Sequence, residues 1–255
     1  MRNHTLNPVN KQAAKVALIT GAARRIGAAI ACKLHEANFR VVIHCYQSLE
    51  EAETLAQKLN HNREESAYVV QQDLHVPDAA EKLIAATVNW AQRLDVLVNN
   101  ASMFVRSDLS AVNSADWDAL FNINVKLPFS LSLAAHKYLS KTQGAIINIT
   151  DIRAEKPLKE YAVYCQTKAA LAMQTKVLAC EFAPKVRVNA VAPGAISWPE
   201  KENALSQQEK QKIIAKTPLK CHGSPEFIGQ AVLALLENPF VTGQTLAVDG
   251  GRSIG

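Results

Sequence analysis

Short apolar segments alternate with longer amphipathic segments along most of the chain, and this alternation limits the fold more than any other feature. The apolar segments predict seven strands, at residues 15–20, 40–45, 67–72, 94–99, 144–150, 185–192 and 244–248. The intervening segments predict helices, one from the first glycine-rich loop to about Ala37 and others at 49–59, 78–92, 115–139 and 161–182. Such alternation is typical of a parallel sheet that is covered on both faces. We predict an α/β protein with one Rossmann-type, doubly wound domain, in which helices flank a seven-stranded parallel sheet.

Composition and segment boundaries are consistent with one globular domain. The 255 residues are 48% hydrophobic, and no repeat or low-complexity linker divides them. Residues 1–14 are polar and predict a flexible tail, which leaves 15–255 as the domain. Residues 194–217, which include Trp198 and Pro199, are the least regular part and predict a flap over a substrate. Since no segment has the length and apolarity of a signal peptide or a membrane span, we expect a cytoplasmic protein without membrane contact.

The charge and the cysteines exclude several classes of function. A net charge of +5, from 28 basic and 23 acidic residues, is spread along the chain, so it favours an anionic small molecule over nucleic acid as a partner. The five cysteines have no C-x-x-C spacing and no neighbouring histidine cluster. They therefore predict reduced, mostly buried thiols and no metal site.

A glycine-containing loop follows the first predicted strand and reads TGAARRIG over residues 20–27. Gly21 and its small neighbours allow the backbone to approach a pyrophosphate at the start of the next helix, which begins near Ile26. Arg24 and Arg25 carry guanidinium groups that pair well with phosphate. A simple tight turn with charged surface residues would produce the same pattern. Cations at a helix start oppose its dipole unless an anion binds there, so we favour a phosphate loop.

The end of the second strand indicates which nicotinamide cofactor binds. An acidic residue at this position holds the ribose hydroxyls of NAD, whereas the 2′-phosphate of NADP needs donors and cations. The sequence here has no acidic residue before Glu50 and offers Tyr46, Gln47 and Ser48 as donors to the 2′-phosphate, alongside the cation Arg24. This predicts NADPH as the cofactor. His44 is predicted as a further cofactor contact. An ordinary polar loop between a strand and a helix is the alternative.

Tyr164 and Lys168 are four residues apart, and Asp151 lies thirteen residues before the tyrosine. On a helix this spacing places the two side chains on one face. An ammonium near a phenol favours the phenolate, so we expect Lys168 to lower the pKa of Tyr164. A proton donor of this kind suits reduction of a C=O or C=N bond by hydride. A solvated helix face would have the same spacing.

The order of these motifs resembles the short-chain dehydrogenase/reductase family from about Lys15 to the C-terminus. The resemblance adds the Asn99-Asn100-Ala101 and Pro193-Gly194 segments, Asn124, and the Val248-Asp249-Gly250-Gly251 segment. It implies that Tyr164 is the acid, that Asn124 holds a water in the proton relay, and that Lys168 binds the nicotinamide ribose. It also implies a set of further cofactor contacts: Asp73, Leu74, Asn100, Ala101, Ser102, Pro193, Gly194 and Ile196. Family members are usually homotetramers that pack the Tyr164 helix and the helix before the fifth strand against other subunits.

Three departures from the usual family pattern resemble the pteridine reductase branch. Arg25 replaces the middle glycine of the phosphate loop, Asp151 replaces a serine, and the fourth strand is followed by an Asn-Asn-Ala-Ser-x-Phe segment. This resemblance implies that Arg25 contacts both cofactor phosphate and pterin. It also implies that Ser102 and Phe104 bind and stack on the pterin, while Asp151 and Tyr164 deliver the proton and Trp198 shapes the pocket. Members of the branch often have an arginine where this chain has Gln47, which weakens the prediction of tight NADPH binding.

Three functions are compatible with these residues. The first is an NADPH-dependent pteridine reductase that acts on a pterin or folate of the biopterin, folate or monapterin class. The second is a general carbonyl reductase, such as a 3-oxoacyl thioester reductase, although Asp151 would place a negative charge beside the substrate oxygen. The third is a non-catalytic NADP-binding sensor, which would have no use for the Tyr164, Lys168 and Asn124 set.

Overall fold

A computed structural model describes residues 14–107, 109–110, 112–198 and 204–254. Nearly all of the expected N-terminal tail, and Pro199 of the expected flap, lie outside these residues. The described chain forms seven strands: β1 (Val16–Ile19), β2 (Arg40–Cys45), β3 (Ala67–Gln71), β4 (Val96–Asn99), β5 (Ala145–Ile149), β6 (Arg187–Pro193) and β7 (Thr245–Val248). All pair in parallel in one sheet of order β3-β2-β1-β4-β5-β6-β7. The predicted seven-stranded parallel sheet is confirmed.

In the described residues, eight α-helices connect or flank these strands. They are α1 (Arg25–Glu36), α2 (Leu49–Asn62), α3 (Ala79–Ala91), α4 (Ser114–Phe121), α5 (Leu127–Thr142), α6 (Ala162–Phe182), α7 (Gln207–Lys216) and α8 (Pro225–Glu237). The strand order reverses between β1 and β4. In doubly wound sheets this reversal opens a crevice at the carboxyl ends of the strands, where ligands bind.

The two faces of the sheet carry separate cores because successive side chains of a strand point to opposite sides. Ala17 and Ile19 of β1 pack with α1, α2 and α8, whereas Val16 and Leu18 pack with α3, α5 and α6. All four side chains are fully buried. Each large aliphatic side chain buried in this way stabilises the fold by about 1.5–3 kcal/mol. The continuous apolar runs read from the sequence are therefore explained by a sheet buried on both sides.

The helical stretch predicted around Pro128 is continuous but changes its hydrogen-bond pattern. A π-helical turn, Asn122–Lys126, joins α4 to α5, and the N–H of Leu127 bonds to the carbonyl of Asn122. Pro128 lies in the first turn of α5. Since proline has no N–H, the carbonyl of Asn124 has no α-helical donor four residues ahead. Pro128 thus changes the local register at a predicted catalytic position without ending the helix.

The segment predicted as an irregular flap contains α7. Ser206 caps this helix by accepting from the N–H of Glu209, and the Glu209 carboxylate accepts from the N–H of Ser206. This reciprocal pair is a capping box, and its Ser-x-x-Glu signature was present in the sequence. The irregular part is therefore shorter than predicted. Burial of the cysteines was also overestimated, because Cys180 and Cys221 are exposed.

No helix in the described part of the chain is both long and apolar enough to cross a membrane.

Candidate active site

A pocket with a volume of about 870 Å³ lies at the carboxyl ends of the strands. This volume is at the upper end of the range for small-molecule sites. Its walls come from the loops after β1, β2, β3, β4, β5 and β6, together with α7 and the C-terminal turn. Most residues predicted for cofactor and substrate line it. Asp73 and Asn124 are the two predicted site residues that do not appear in its described lining.

The phosphate loop is held close to the loop that follows β4. Gly21 has a φ of +61°, and a β-carbon there would lie 3.1 Å from the Cα of Ala101. A β-carbon on Gly27 would lie 2.6 Å from Nδ2 of Asn100. That Nδ2 donates to the carbonyls of Thr20 (2.8 Å) and Gly21 (3.0 Å). The side chain of Asn100 therefore shapes the loop, and the two glycines leave the space that close backbone approach requires.

Helix α1 starts in a way that fits an anion. Within the described chain, its first turn holds no acidic residue, and Arg24 at its N-cap makes no capping hydrogen bond through its side chain. The first N–H groups of a helix then remain available to an anion, which the helix dipole also favours. Because the donors and the glycine-made space coincide, these residues fit the pyrophosphate of a dinucleotide.

Arg25 adopts a left-handed backbone conformation with a φ of +55°. A residue with a side chain is disfavoured there by about 1–2 kcal/mol, and glycine is not. The Arg25 guanidinium donates from Nη2 to the carbonyl of Trp198 at 2.9 Å, across the pocket mouth. Backbone strain kept at a ligand-binding loop is typical of functional sites. The strained backbone and the position at the pocket mouth are therefore consistent with a ligand-binding role for the Arg25 guanidinium.

His44 contacts the phosphate loop through hydrogen bonds that occupy both ring nitrogens. Nδ1 accepts from the N–H of Gly21 at 3.1 Å, so Nε2 carries the proton and donates to the carbonyl of Gln72 at 3.1 Å. Burial lowers the pKa of His44 from 6.5 to about 4, against the opposing effect of the Gln72 hydrogen bond. His44 was predicted to bind cofactor directly. Its geometry instead supports positioning of Gly21.

This neutral, buried histidine predicts acid sensitivity of the fold. Between pH 6.5 and about 4 the unfolded chain binds a proton at His44 that the folded chain does not. The free energy of unfolding therefore decreases as the pH is lowered through this window, and His44 accounts for about 3 kcal/mol of that decrease. We expect chemical denaturation at several pH values to show a smaller acid-induced loss for His44→Gln. An identical pH dependence in both proteins would contradict this role.

The end of β2 carries donors but also an internal ion pair. Tyr46, Gln47 and Ser48 line the pocket as predicted. Arg24, which lines the same end, forms a half-exposed ion pair with Glu51 at 3.5 Å. Glu51 lies in the first turn of α2. The cation predicted for the 2′-phosphate is thus held by a carboxylate of the protein.

Leu74 and His75, which follow β3, also line the pocket. The Asp73 carboxylate accepts from both the backbone N–H and Nδ1 of His75, each at 2.8 Å. These hydrogen bonds lower the pKa of Asp73. The Asp73 side chain is turned to His75 and is absent from the described pocket lining, so its contact with the cofactor stays a prediction.

Asp151, Tyr164 and Lys168 meet at the carboxyl end of β5. Tyr164 donates its hydroxyl proton to Oδ2 of Asp151 at 2.7 Å, and the N–H of Arg153 donates to Oδ1 at 2.8 Å. Lys168 donates from Nζ to the carbonyl of Ile149 at 3.0 Å. The predicted clustering of the three groups is confirmed by these contacts. Tyr164 and Lys168 lie one turn apart on α6, and Asp151 lies in the turn after β5, so the three side chains meet.

The electrostatics of this cluster differ from the expectation. Burial and the neighbouring Asp151 raise the pKa of Tyr164 well above its ordinary value of 10. Burial also raises the pKa of Asp151 and lowers that of Lys168 from 10.5 to about 8. The prediction that Lys168 lowers the tyrosine pKa is wrong for the protein by itself, because Lys168 points to a carbonyl while the phenol faces a carboxylate. Tyr164 is a neutral proton donor at neutral pH.

Asn124 is buried, and protein groups occupy its side-chain amide. Its Nδ2 donates to the Met103 carbonyl and to Oγ1 of Thr167, both at 3.0 Å. Its Oδ1 accepts from the Met103 N–H (2.8 Å) and the Ser102 hydroxyl (3.0 Å). The side chain thus joins the loop after β4 to α6. Any water held by Asn124 must bind at its backbone carbonyl, which Pro128 leaves without an α-helical donor.

Phe104 is part of an aromatic cluster that the sequence reasoning described incompletely. Its ring stacks on Tyr161 at 4.4 Å between centroids and 15° between planes, and meets Tyr164 edge-on at 4.7 Å and 87°. Tyr161 is buried and lines the pocket. Its position one helical turn before Tyr164 was the signal that could have identified it. Tyr161 fixes the orientation of Phe104 beside the proton donor.

Trp198 closes another side of the pocket and also has an unpredicted partner. It stacks on His222 at 4.1 Å between ring centroids and 26° between planes. Ile196, which is buried, and Gly194 line the pocket next to it. A β-carbon on Gly194 would lie 2.6 Å from that of Asp249. The glycine therefore allows β6 to continue past the C-terminal turn.

The family model described as enoyl-(acyl carrier protein) reductase matches residues 21–253. This match spans the phosphate loop, the Tyr164 cluster and the C-terminal turn. The chain belongs to the short-chain dehydrogenase/reductase family. The resemblance read from its motifs is confirmed at this level. Enzymes of this family are oxidoreductases that use NAD(P)H.

Relatives within the short-chain dehydrogenase/reductase family are named for two kinds of reaction. The putative ketoacyl reductase 2 of the granaticin polyketide synthase from Streptomyces violaceoruber is 34% identical, over 94% of this chain and 97% of that protein. The 3-oxoacyl-[acyl-carrier-protein] reductase of Synechocystis sp. is 35% identical, over 93% and 96%. The solved structure of FolM alternative dihydrofolate reductase 1 from Brucella suis, in complex with NADP, is 34% identical with a TM-score of 0.88, over 94% and 96%.

In the part of the chain that the structure describes, no three or more histidine, cysteine, aspartate or glutamate side chains come together as possible metal ligands.

Proposed function

We propose that this protein is an NADPH-dependent pteridine reductase, which reduces a C=N bond of an oxidised or dihydro pterin of the biopterin, folate or monapterin class. The observation that carries the proposal is the hydrogen bond from the Tyr164 hydroxyl to Asp151 at 2.7 Å. Asp151 occupies the position where the family usually has a serine. A carboxylate there can accept from pterin N–H groups or pass on a proton, which a serine hydroxyl does less well.

NADPH fits the long part of the pocket. The start of α1 and Gly21 suit its pyrophosphate, and Arg24 with Ser48 suits its 2′-phosphate. Lys168 would bind the nicotinamide ribose. The FolM structure of Brucella suis was solved with NADP, and so was that of FolM from Brucella canis, which is 35% identical with a TM-score of 0.86. When bound, NADPH supplies the hydride.

Side chains of the protein supply the proton that the reduced C=N bond needs. Tyr164 holds its proton toward Asp151, and the pKa of each group is raised by burial. An aspartate with a raised pKa takes up a proton more readily at neutral pH and donates it to the ring nitrogen beside the reduced carbon. A water on the Asn124 carbonyl would replace the proton from solvent. The Tyr164 and Asp151 pair thus performs general acid catalysis.

The short part of the pocket suits a flat, polar ring. Phe104, fixed by Tyr161, offers an aromatic surface, and such stacking contributes about 0.5–1.5 kcal/mol beyond burial. Arg25 offers donors from the phosphate loop. Ser102 gives its own proton to Asn124, so its hydroxyl oxygen remains as an acceptor for a pterin amino group. Trp198 bounds the ring on the flap side.

Reduction of 3-oxoacyl thioesters is the second candidate, and the names of the Streptomyces and Synechocystis relatives favour it. Against it stands Asp151, because a carboxylate near the carbonyl opposes the negative charge that develops on the substrate oxygen. A protonated Asp151 would remove this objection. The two candidates therefore predict turnover of different substrates, a pterin or a 3-oxoacyl thioester, and this can be measured.

NADPH oxidation in the presence of dihydrobiopterin, dihydrofolate or an acetoacetyl thioester tests the proposal. We expect turnover of at least one pterin with a kcat/KM at least about tenfold above that of the thioester. Thioester turnover alone would overturn the proposal in favour of the second candidate. NADPH binding without turnover of any substrate would support a non-catalytic sensor.

The ion pair between Arg24 and Glu51 predicts that substitution of either residue changes the preference for NADPH over NADH. Glu51→Gln frees Arg24 for the 2′-phosphate, and we expect about threefold tighter NADPH binding, as for the loss of one half-exposed ion pair. Arg24→Gln should weaken NADPH binding about tenfold and leave NADH binding nearly unchanged. Titration of both cofactors, followed by nicotinamide fluorescence, measures this. Equal effects of either variant on NADH would show that these side chains do not contact the 2′-phosphate.

A homotetramer follows from the same proposal. Helices α5 and α6 expose a group of apolar side chains, Phe129, Leu133, Met173 and Val177. Ala169, Ala170 and Ala172 on α6 permit close helix contact. Family members usually assemble through these two helices, and we propose that copies of this chain do so as well.

A further inference from the structure

Two arginines at the Asp151 end of the pocket are not used by the mechanism above. Arg153 follows Asp151 after β5, and Arg252 lies in the C-terminal turn after β7. Both are partly buried and line the pocket. In the part of the chain that the structure describes, neither guanidinium forms an ion pair with a carboxylate. A partly buried guanidinium outside an ion pair keeps planar donors that suit an anion.

Local hydrogen bonds hold the two arginines in place. The N–H of Arg153 donates to Asp151, and its Nη1 donates to the carbonyl of Lys156 at 3.3 Å. Lys156 in turn donates from Nζ to the carbonyl of Arg252 at 3.0 Å. Lys156 therefore links the turn after β5 to the C-terminal turn, which keeps the two arginines at the same end of the pocket.

The C-terminal turn has its own anchor in Asp249. Its carboxylate accepts from the N–H groups of Gly251 (2.9 Å) and Ser253 (2.6 Å), one on each side of Arg252. With its acceptors directed to the backbone, Asp249 stabilises the turn from which Arg252 extends. Such local hydrogen bonds restrict the backbone and so reduce the entropy lost when a side chain binds a ligand.

The local charges favour an added anion. Burial lowers the pKa of Arg252, and the charge of Arg153 lowers it further, while Asp151 and Asp249 oppose these effects. The two oxygens of Asp151 already accept from Arg153 N–H and from Tyr164. Two close cations in a partly desolvated pocket repel each other, and a bound anion relieves that repulsion.

Other charged side chains at the rim of the pocket are engaged elsewhere or exposed, so they do not neutralise Arg153 and Arg252. Arg106 is paired with Glu160 at 3.8 Å and donates to the Tyr161 hydroxyl at 3.3 Å. Glu209 is engaged by the cap of α7. Lys159 is exposed at the rim. Among the described residues, the positive charges beside Asp151 are then Lys168, which donates to the Ile149 carbonyl, and the guanidinium groups of Arg153 and Arg252.

We propose that Arg153 and Arg252 bind an oxyanion of the substrate, so that the preferred pterin carries carboxylates on its side chain, as folates do. The inference rests on the proposed function for the identity of the ring. Guanidinium groups bind planar carboxylates through paired hydrogen bonds. A phosphate, such as those of a coenzyme A thioester, has the same chemistry and is the alternative source of the oxyanion.

Two substrates that differ only outside the ring distinguish the effect of the two arginines from effects on the rest of the site. Dihydrofolate and dihydrobiopterin share the ring, but only dihydrofolate carries carboxylates. We expect Arg252→Gln and Arg153→Gln each to raise the KM for dihydrofolate about tenfold or more, with dihydrobiopterin changed less than about twofold. Arg252→Lys should recover part of the loss. Lys159→Gln, which removes an exposed rim cation, should change neither KM by more than about twofold.

A binding measurement gives an independent readout. The side-chain fragment p-aminobenzoylglutamate should bind to wild type in calorimetry and about tenfold more weakly to Arg252→Gln. Equal losses for both pterins would overturn the proposal, because they would indicate a structural effect on the pocket. A loss in Lys159→Gln as large as in Arg252→Gln would also overturn it, in favour of a diffuse positive field.

The experiment also distinguishes failure of the oxyanion site from failure of the proposed function. If no pterin is reduced, the proposed function fails. Acetoacetyl coenzyme A, which carries phosphates, is then compared with neutral acetoacetyl-N-acetylcysteamine. A loss in Arg252→Gln for the coenzyme A substrate alone would support the oxyanion site with phosphate as its source. Equal losses for both thioesters would overturn it.

Discussion

Asp151→Asn is expected to reduce kcat/KM for pterin reduction by about a hundredfold or more. Asparagine keeps the size of the side chain, and its single oxygen can keep one of the two hydrogen bonds that the carboxylate oxygens accept, from the Tyr164 hydroxyl or from the Arg153 N–H. It cannot take up a proton and release it to a ring nitrogen. Stopped-flow or steady-state measurement of NADPH oxidation measures this loss, and NADPH binding should change by less than about twofold because Asp151 does not contact the phosphate loop.

Asp151→Ser is the informative companion variant. It restores the hydroxyl that the family usually has at this position, so we expect pterin turnover to fall as in Asp151→Asn. Reduction of an acetoacetyl thioester should rise, since a hydroxyl can donate to the developing oxyanion where a carboxylate repels it. Pterin turnover that survives both substitutions would remove Asp151 from the reaction.

Tyr164→Phe is expected to lower kcat by about a thousandfold, with a smaller effect on KM. The ring and its edge-on contact with Phe104 remain, so the pocket keeps its shape. Only the hydroxyl, whose oxygen lies 2.7 Å from Oδ2 of Asp151, is lost. Initial rates at saturating NADPH measure the effect, and cofactor titration in the absence of substrate checks that the dinucleotide still binds.

Tyr161→Phe is the matched control for this prediction. Tyr161 stacks on Phe104 through its ring, and its hydroxyl accepts from Nε of Arg106. Removing that hydroxyl keeps the stack and leaves Asp151 untouched, so we expect a loss below about tenfold. Equal losses in the two variants would mean that Tyr164 acts through packing and not as the acid.

The local pattern of the chain predicted most of the fold. β2 begins and ends at the predicted residues, and the other strands differ by at most a few residues at either end. This success has a simple cause: strands buried on both faces need continuous apolar runs, and the helices between them need an apolar stripe. Helix α7 was missed because its stability depends on caps more than on an apolar face. Its described residues include no buried side chain.

The candidate site was predicted in part. Spacing along the chain identified Tyr164, Lys168 and the phosphate loop, because short intervals on a helix or loop fix which side chains are neighbours. The partners of Asp73, His44 and Trp198 were not predicted. Each of these contacts depends on which groups the packing brings into range.

The sequence by itself determined the parallel α/β architecture, the glycines that permit a phosphate loop, and the residue types that carry proton transfer. These follow from local periodicity and side-chain chemistry. Only the tertiary structure decided the protonation of the site, because the pKa of Tyr164 depends on burial and on a carboxylate thirteen residues away. It also brought Arg153 and Arg252 together, from turns after two different strands. Burial and long-range distance are properties of the packed sheet and are absent from any short stretch of chain.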